Sequence, residues 1–586
     1  MCHRTKWAEA FSYVTNLYNF KWVQLSSRID YSILGKFGGR QIVNHYENHY
    51  AFSNKANMFI NLMYYCENRN ISVFKYVPFT IIFELKQDDI KLTKREVQNK
   101  YEENLENLGK FMSKVENFVN DYDNISKNYN ERIKEKKNDE QKNINFEHSF
   151  YRDYFKILKL IENVTTIYDK NYDSYFRDKE MKNNLKNTIG SNTLIEIPDT
   201  HYNSKNLWVI KPLNLCRGLC IQIVNNFKQM SFVLNKYKNG VQYDFTEKEI
   251  DENEKEEQNK KAGSKLYFCD KIIIQKYIEN PLLYKGRKCD IRVWVLITHE
   301  MKVYFFKEGH FKTCSVEYDI NSKNAFNHIT NYSFQKYNNN FEKFELGNEV
   351  PFFEFQKYLD ENYPEKNYKV YKDLIDKMKE IITITTKSVR YQINKNQRNY
   401  QFEILGYDFM LDANFNLFLI EINDNPGIEE SSPWIKIIVP RMLDDALRLT
   451  LDKVFNPEYD FTKIYNSEDK NINIKMVSEK IKYNIDPNSP IKTEHIEVNE
   501  KNSNNNNDEQ NSNNNNEEKD KKIKNNNNDG SNGKEDSSKL NKEENEKIKM
   551  NKSQNESYIS PFPVPGYTDS ENLWELVCDL NSPDPN

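Results

Sequence analysis

Cysteine is scarce, and the eight present (Cys2, Cys66, Cys216, Cys220, Cys269, Cys289, Cys314 and Cys578) form no CxxC pair. The opening MCHRTKWAEAFSY has no apolar signal core, so free thiols in a reducing compartment are expected. Cys216 and Cys220 lack the second pair that a zinc site needs, and they read as packed or loop thiols. No run approaches the ~20 apolar residues of a membrane span, which points to a cytoplasmic chain without membrane contact. A charge excess is missing too: 84 Lys plus Arg stand against 88 Asp plus Glu, which removes any global argument for nucleic acid. Neither GxxxxGK[ST] nor GxGxxG occurs, so the P-loop, kinase and dinucleotide-fold phosphate loops are unsupported. At 586 residues the chain has room for two or three domains, but with 38% hydrophobic and 29% charged residues part of it cannot contribute to a core.

What is there divides along the chain. Residues 1–85 look like a small globular N-terminal α/β domain, ending in the strand-like VFKYVPFTIIFEL (73–85). A charged helical insertion follows over 86–195. Residues 196–340 carry strands in WVIKP, KIIIQKYI (271–278), DIRVWVLIT (290–298) and KVYFFKE (302–308), with a charged insert at 236–264 that shows no core signal. In 341–469 a helical stretch at 351–393 precedes GYDFMLDANFNLFLIEIND and a last helix over about 436–454. Residues 470–586 read as a disordered tail. Its 501–535 stretch holds 15 Asn and cannot bury enough apolar area to offset ordering. The terminal YISPFPVPGYTDSENLWELVCDL (558–580) regains aromatics and reads as a docking motif or a partly collapsed terminus.

The chemistry concentrates in the last strands. A hairpin turning at 413–416 places Asp408 opposite Glu421, with Asn423 on the same face and Ile420 and Ile422 on the other. Opposed carboxylates need a cation between them. A few oxygen ligands without His or Cys suit Mg²⁺, the alternative being an exposed polar patch at a strand end. Lys211 ends an apolar strand and Arg217-Gly218 sits in the following loop, an arrangement able to reach and cover phosphate oxygens. Asp290 and Arg292 share one strand face and, taken alone, read as a structural ion pair. Over 265–345 there are 13 Lys plus Arg against 9 Asp plus Glu, which favours an anionic partner.

Four motifs in order, WVIKP with RG behind it, QKYIENPLLYKGRKCDIRVWVLIT, HITNYSFQK and GYDFMLD with LIEINDNP, resemble the tubulin tyrosine ligase-like family of ATP-grasp ligases. IVNHYENHYAFSNKANMFINL (42–62) is similar to that family's amino-terminal domain. The resemblance covers roughly 20–85 and 205–455 and implies an α+β ATP-grasp fold with ATP and Mg²⁺. It assigns Lys55, Lys211, Arg217 and Gly218 to the phosphates and Gln275, Lys276, Tyr277 and Ile278 to the adenine. Lys288, Asp290 and Arg292 would line the catalytic cleft, Arg292 on the carboxylate of the incoming amino acid, with Thr330 and Asn331 near the nucleotide. Asp408, Glu421 and Asn423 would hold Mg²⁺.

The implied reaction joins a free amino acid to tubulin's acidic C-terminal tails through an acyl phosphate, without a nucleophilic side chain. Glutamate is the first expectation for the donor, then tyrosine or glycine. A monomer on microtubules is expected, with cilium, flagellum or basal body as possible places. Two departures bear on activity: Cys220 stands where the family's loop has Gly, and Lys312 where Arg is common. The alternatives are a catalytically weak microtubule-binding module, or a ligase for another acidic protein. Truncation after about 470 is expected to leave ligation intact.

Overall fold

The computed structural model describes residues 18–36, 40–69, 71–85, 95–113, 205–213, 220–243, 265–267, 271–429, 431–455 and 558–583, with a few single positions besides. Arg217 and the Asn-rich 501–535 lie outside the described residues.

A short parallel pair, β1 (Phe20–Lys21) and β2 (Ile42–Val43), leads to helices Tyr50–Ser53 and Lys55–Glu67. Strand β3 (Thr80–Glu84), grouped above with residues 1–85, is the edge of an antiparallel sheet that it shares with β4 (Trp208–Pro212) and β5 (Gln222–Val224). Beyond helix Phe227–Asn239, β6 (Val241–Tyr243) pairs with β7 (Lys265–Tyr267). Strand β8 (Lys271–Lys276) then lies between β3 and β4, giving the order β3-β8-β4-β5. Tyr237 and Val241 are buried, so the core extends into the start of the 236–264 stretch, which was expected to lack one.

The larger sheet is built from β9 (Leu283–Tyr284), β10 (Arg287–Ile297), β11 (Lys302–Thr313), β12 (Glu349–Pro351), β13 (Glu403–Leu411), β14 (Leu417–Asn423) and β15 (Trp574–Asp579). Its main path runs β12-β11-β10-β13-β14, every described pairing is antiparallel, and β15 adds to the far end of β11. Strand β11 runs five residues past the expected KVYFFKE, through Gly309 and His310. An added Cβ at Gly309 would come within 2.6 Å of both the Arg292 carbonyl and Phe352, so only glycine allows this close approach.

Both faces of this sheet carry apolar side chains. Ile291, Val293, Val295 and Ile297 face the core shared with helices Phe352–Asn362 and Ile375–Ser388, while Trp294 and Leu296 pack with helix Pro433–Leu449. This last helix starts at an N-cap, Ser432, whose hydroxyl accepts from the Ile435 N–H, with Pro433 in its first turn. It covers only part of its sheet face. Farther along β10 the same face presents Arg292, Asp290 and Lys288, so one alternating strand serves both as core and as the wall of a cleft.

Residues 558–583 are folded, and they sit against the sheet's end. Trp574 packs on Phe306 and donates its indole N–H to the Met442 carbonyl at 2.9 Å. Buried Arg441 pairs with Asp445 at 2.8 Å and donates to the carbonyls of Phe562, Thr568 and Glu571. Asp445 in turn accepts from the Leu573 N–H. The aromatic terminus is thus a docked edge strand, and its ligand is the chain's own sheet.

Candidate active site

A cleft opens between the two sheets. From the smaller one come Lys211 on β4 and Gln275 and Lys276 on β8; from the larger, Lys288 and Asp290 on β10, Asp408 on β13, and Glu421 and Asn423 on β14. Lys55 enters from the first turn of its helix, whose N-cap, Asn54, accepts from the Ala56 and Asn57 N–H groups. Gly218, Tyr277, Ile278, Thr330 and Asn331 also line it. Apolar residues that sequence reasoning missed, Val209, Ile223, Met410 and Ile420 among them, complete a surface suited to a flat ring. The alternation of β4 and β5 was the available signal for the first two.

The hairpin register has a cause that simple counting hides. Near the turn the pairs are Leu411 with Leu417 and Phe409 with Leu419, one residue out of step with a count centred on 413–416. A bulge at Ile420 restores Asp408 opposite Glu421. Ile422 faces the core as expected, but Ile420 turns into the cleft beside Glu421. The bulge therefore delivers an apolar and an acidic side chain to the cleft from successive positions.

The cations that these carboxylates require are present as side chains. Arg292 donates to both Asp408 oxygens at 2.6 and 2.9 Å, and Lys312 lies 3.1 Å from Asp290 and 3.2 Å from Asp408. Arg292 is thus engaged by Asp408, not by Asp290 as the isolated strand implied. It sits behind the cleft wall and is not among the residues lining the cleft. Lys55 reaches Glu421 at 3.1 Å. Burial alone raises a carboxyl's pKa, yet Arg292 and Lys312 hold Asp408 well below the usual range, and Lys55 keeps Glu421 low. Asp290 behaves oppositely. Burial raises it despite Lys312 and a 2.5 Å hydrogen bond from Thr330.

Two lysines of the cleft, one from each sheet, are short of counter-charge. Burial pushes Lys211 and Lys288 down to about 8 each. Lys211 donates to Gln275 Oε1 at 2.9 Å, and Lys288 to Tyr277 Oη and the His328 carbonyl at 3.0 and 2.8 Å. Lys276 is instead engaged by Glu279 and the Leu207 carbonyl. Gly218 adopts φ +77°, and a Cβ there would meet Ile329 at 3.1 Å. Cys220 adopts φ +57°, a left-handed conformation that glycine takes freely and that costs another residue about 1 kcal/mol.

Among the described residues no three His, Cys, Asp or Glu side chains gather as a metal set. The candidate set is two carboxylates and one amide: Asn423 Nδ2 lies 3.2 Å from Asp408 and 3.3 Å from Glu421. Turning that amide presents Oδ1 beside the two carboxylates, an all-oxygen group that fits a hard divalent ion.

This geometry is accompanied by a match of residues 103–459 to the model of the tubulin-tyrosine ligase family. The chain belongs to that family. Tubulin glycylase 3B of Tetrahymena thermophila is 25% identical over 519 residues, covering 76% of this chain and 41% of the relative. Tubulin glycylase 3A of Drosophila melanogaster is 29% identical over 259 residues, 43% of this chain and 23% of the relative. A probable alpha-tubulin polyglutamylase, Ttll1 of Tetrahymena thermophila, is 25% identical over 267 residues, 45% of this chain and 58% of the relative. The chain therefore spans about half or less of the glycylases it matches. As a member of the tubulin-tyrosine ligase family it has the α+β, ATP-grasp-like architecture of antiparallel sheets and helices described above.

Proposed function

We propose that the protein is an ATP- and Mg²⁺-dependent ligase that joins an amino acid by an amide bond to carboxylates of tubulin's acidic C-terminal tails. One observation carries this reading: two buried lysines of depressed pKa, Lys211 from the smaller sheet and Lys288 from the larger, line a single cleft together with Asp408, Glu421 and Asn423. Buried ammonium groups without a full counter-charge bind phosphates with little reorganisation, and the oxygen set of the same cleft is suited to hold Mg²⁺. Bound there, the ion supplies positive charge to the phosphate oxygens. Lys55, 3.1 Å from Glu421, is placed to neutralise that carboxylate and to reach a phosphate in the cleft. No side-chain nucleophile is needed, because the acceptor carboxylate is activated as an acyl phosphate that the donor's amine attacks.

The relatives' names support tubulin as acceptor, and they weigh the donor toward glycine, away from the glutamate first expected. The basic 265–345 segment bears on the acceptor's acidity and is silent on the donor.

The test is incubation of the full chain with tubulin, ATP, Mg²⁺ and labelled glycine, glutamate or tyrosine, followed by mass spectrometry of the tails. An added residue that disappears with Glu421→Gln supports the reading. The substitution removes one charge of the ion site and should lower the rate by about 10²–10³-fold while the protein stays folded. ATP binding with no tail modified by any donor would favour a binding module instead.

A further inference from the structure

Within the HITN motif, Thr330 and Asn331 have places in the reading above and His328 has none, although it lines the cleft together with Tyr277 and Lys288. All three are buried. The loop that carries His328 is itself fixed. The His328 backbone N–H donates to the Ala325 carbonyl at 2.9 Å, closing the short helix Ala325–Asn327, and the Gln335 side chain donates to the carbonyls of Phe326 and Ile329.

The ring's partners decide which of its nitrogens carries hydrogen. Nε2 stands 2.8 Å from the Ser322 carbonyl, which can only accept, so Nε2 is the N–H. Burial, joined by the nearby Lys288, lowers the ring's pKa against the Ser322 hydrogen bond and keeps the ring neutral. Nδ1 is then an acceptor, and Tyr277 Oη, 2.9 Å away, donates to it. With its hydrogen committed, the Tyr277 oxygen accepts from Lys288 at 3.0 Å. Tyr318, whose hydroxyl also acts on Tyr277, gives its own hydrogen to the Glu279 carbonyl at 2.8 Å. The donors therefore run in one direction, from Lys288 through Tyr277 and His328 to Ser322.

This order sets what the ammonium can do. One of its three hydrogens goes to Tyr277 and a second to the His328 carbonyl at 2.8 Å. Both acceptors are neutral, so the positive charge stays available, and the third hydrogen is left for a group in the cleft. A lysine held in place also loses less freedom when a ligand binds.

We propose that His328 and the Tyr277 hydroxyl are positioning residues that aim the Lys288 ammonium at a nucleotide phosphate, His328 acting through its carbonyl and, by way of Tyr277, through its ring. This rests on the reading of the cleft as a nucleotide site, and it gives the Tyr277 side chain a task apart from the adenine contact expected of that residue.

The experiment is calorimetric titration of the full chain, in Mg²⁺, with a non-hydrolysable ATP analogue. The proteins compared are the wild type, Tyr277→Phe, His328→Phe, His328→Asn, Lys288→Met, and Lys288→Met combined with each Phe substitution. Tyr277→Phe and His328→Phe should each weaken binding by about five- to tenfold, as expected for a lost hydrogen bond to a charged group. Added to Lys288→Met, the same changes should cost less than about twofold, because they act through the absent ammonium. His328→Asn, whose side-chain oxygen can accept from Tyr277, should stay within about twofold of the wild type. Thermal melting confirms that folded proteins are compared. A penalty of equal size with and without Lys288, no penalty in either single Phe variant, or a His328→Asn as weak as His328→Phe overturns the proposal and leaves the nucleotide reading standing, since the wild type binds. A folded wild type that does not bind the analogue overturns both.

Discussion

Lys211 shows how a single residue's environment becomes a measurable property. Burial pushes its ammonium down to about 8, and that of Lys288 likewise. A bound polyphosphate favours the charged form and raises both values. Nucleotide binding at about pH 8.5 should therefore take up protons, and the uptake should shrink at pH 6.5, where both groups are already charged. Calorimetry in buffers of different ionisation enthalpy measures this, and pH-independent proton uptake would contradict the assignment. At this scale the sequence was highly legible for residues on strands. Asp408, Glu421 and Asn423 follow from alternation and Lys211 from an apolar strand ending in charge, while Lys288, at the start of its strand, was assigned through the family resemblance. Partnership was not legible. Asp290 and Arg292 share a strand face, but which carboxylate the guanidinium meets depends on the neighbouring strand, and β13 supplies Asp408 directly opposite Arg292.

At the scale of elements, β14 and β15 are the strands that local pattern describes least well. The Ile420 bulge is invisible to periodicity, since it breaks the alternation on which periodicity rests. Strand β15 reads as a strand only once β11 is there to pair with it. Its docking is reinforced by Glu308, buried on β11 and accepting from Tyr567 at 2.8 Å and Tyr371 at 3.1 Å. Burial raises Glu308 to about 7, above its unfolded value near 4.5. A carboxyl raised in the folded state contributes stability that is fully present below the unfolded pKa and is lost as pH rises through the folded one. Between about pH 4.5 and 7 the unfolding free energy should fall by roughly 2–3 kcal/mol from this group, and Glu308→Gln should flatten that part of the profile. Denaturant titrations of both proteins across that window give the answer, and superimposable slopes would refute it.

For the whole molecule, the docked terminus bears on the expectation that truncation after about 470 leaves ligation intact, because part of what is removed is built into the larger sheet. Removing 558–583 uncovers Phe306, leaves Arg441 and Asp445 without their backbone partners, and strips the edge of β11. Truncation after 470 should cost about 3–5 kcal/mol, because it opens apolar core and breaks a buried charged network. Deletion of 501–535 alone removes none of the described contacts and should change stability by less than about 0.5 kcal/mol. Paired melting curves distinguish the two, and equal curves would show the docked strand to be dispensable. The strands were legible as apolar runs, whereas the cleft between two sheets was expected only through the family resemblance, because strand order depends on pairings distant in the chain. The return of the terminus across 456–557 was not legible, because pairing between β11 and β15 links residues far apart in the chain and depends on no local pattern.

On this account the cleft activates an acceptor carboxylate for amide formation. The most direct measurement supplies a tubulin tail peptide whose side-chain carboxylates carry ¹⁸O, together with ATP, Mg²⁺ and glycine, and follows the label. One ¹⁸O should appear in the inorganic phosphate for each amide formed, since the carboxylate oxygen leaves with the phosphate. Amide product accompanied by unlabelled phosphate would contradict the account.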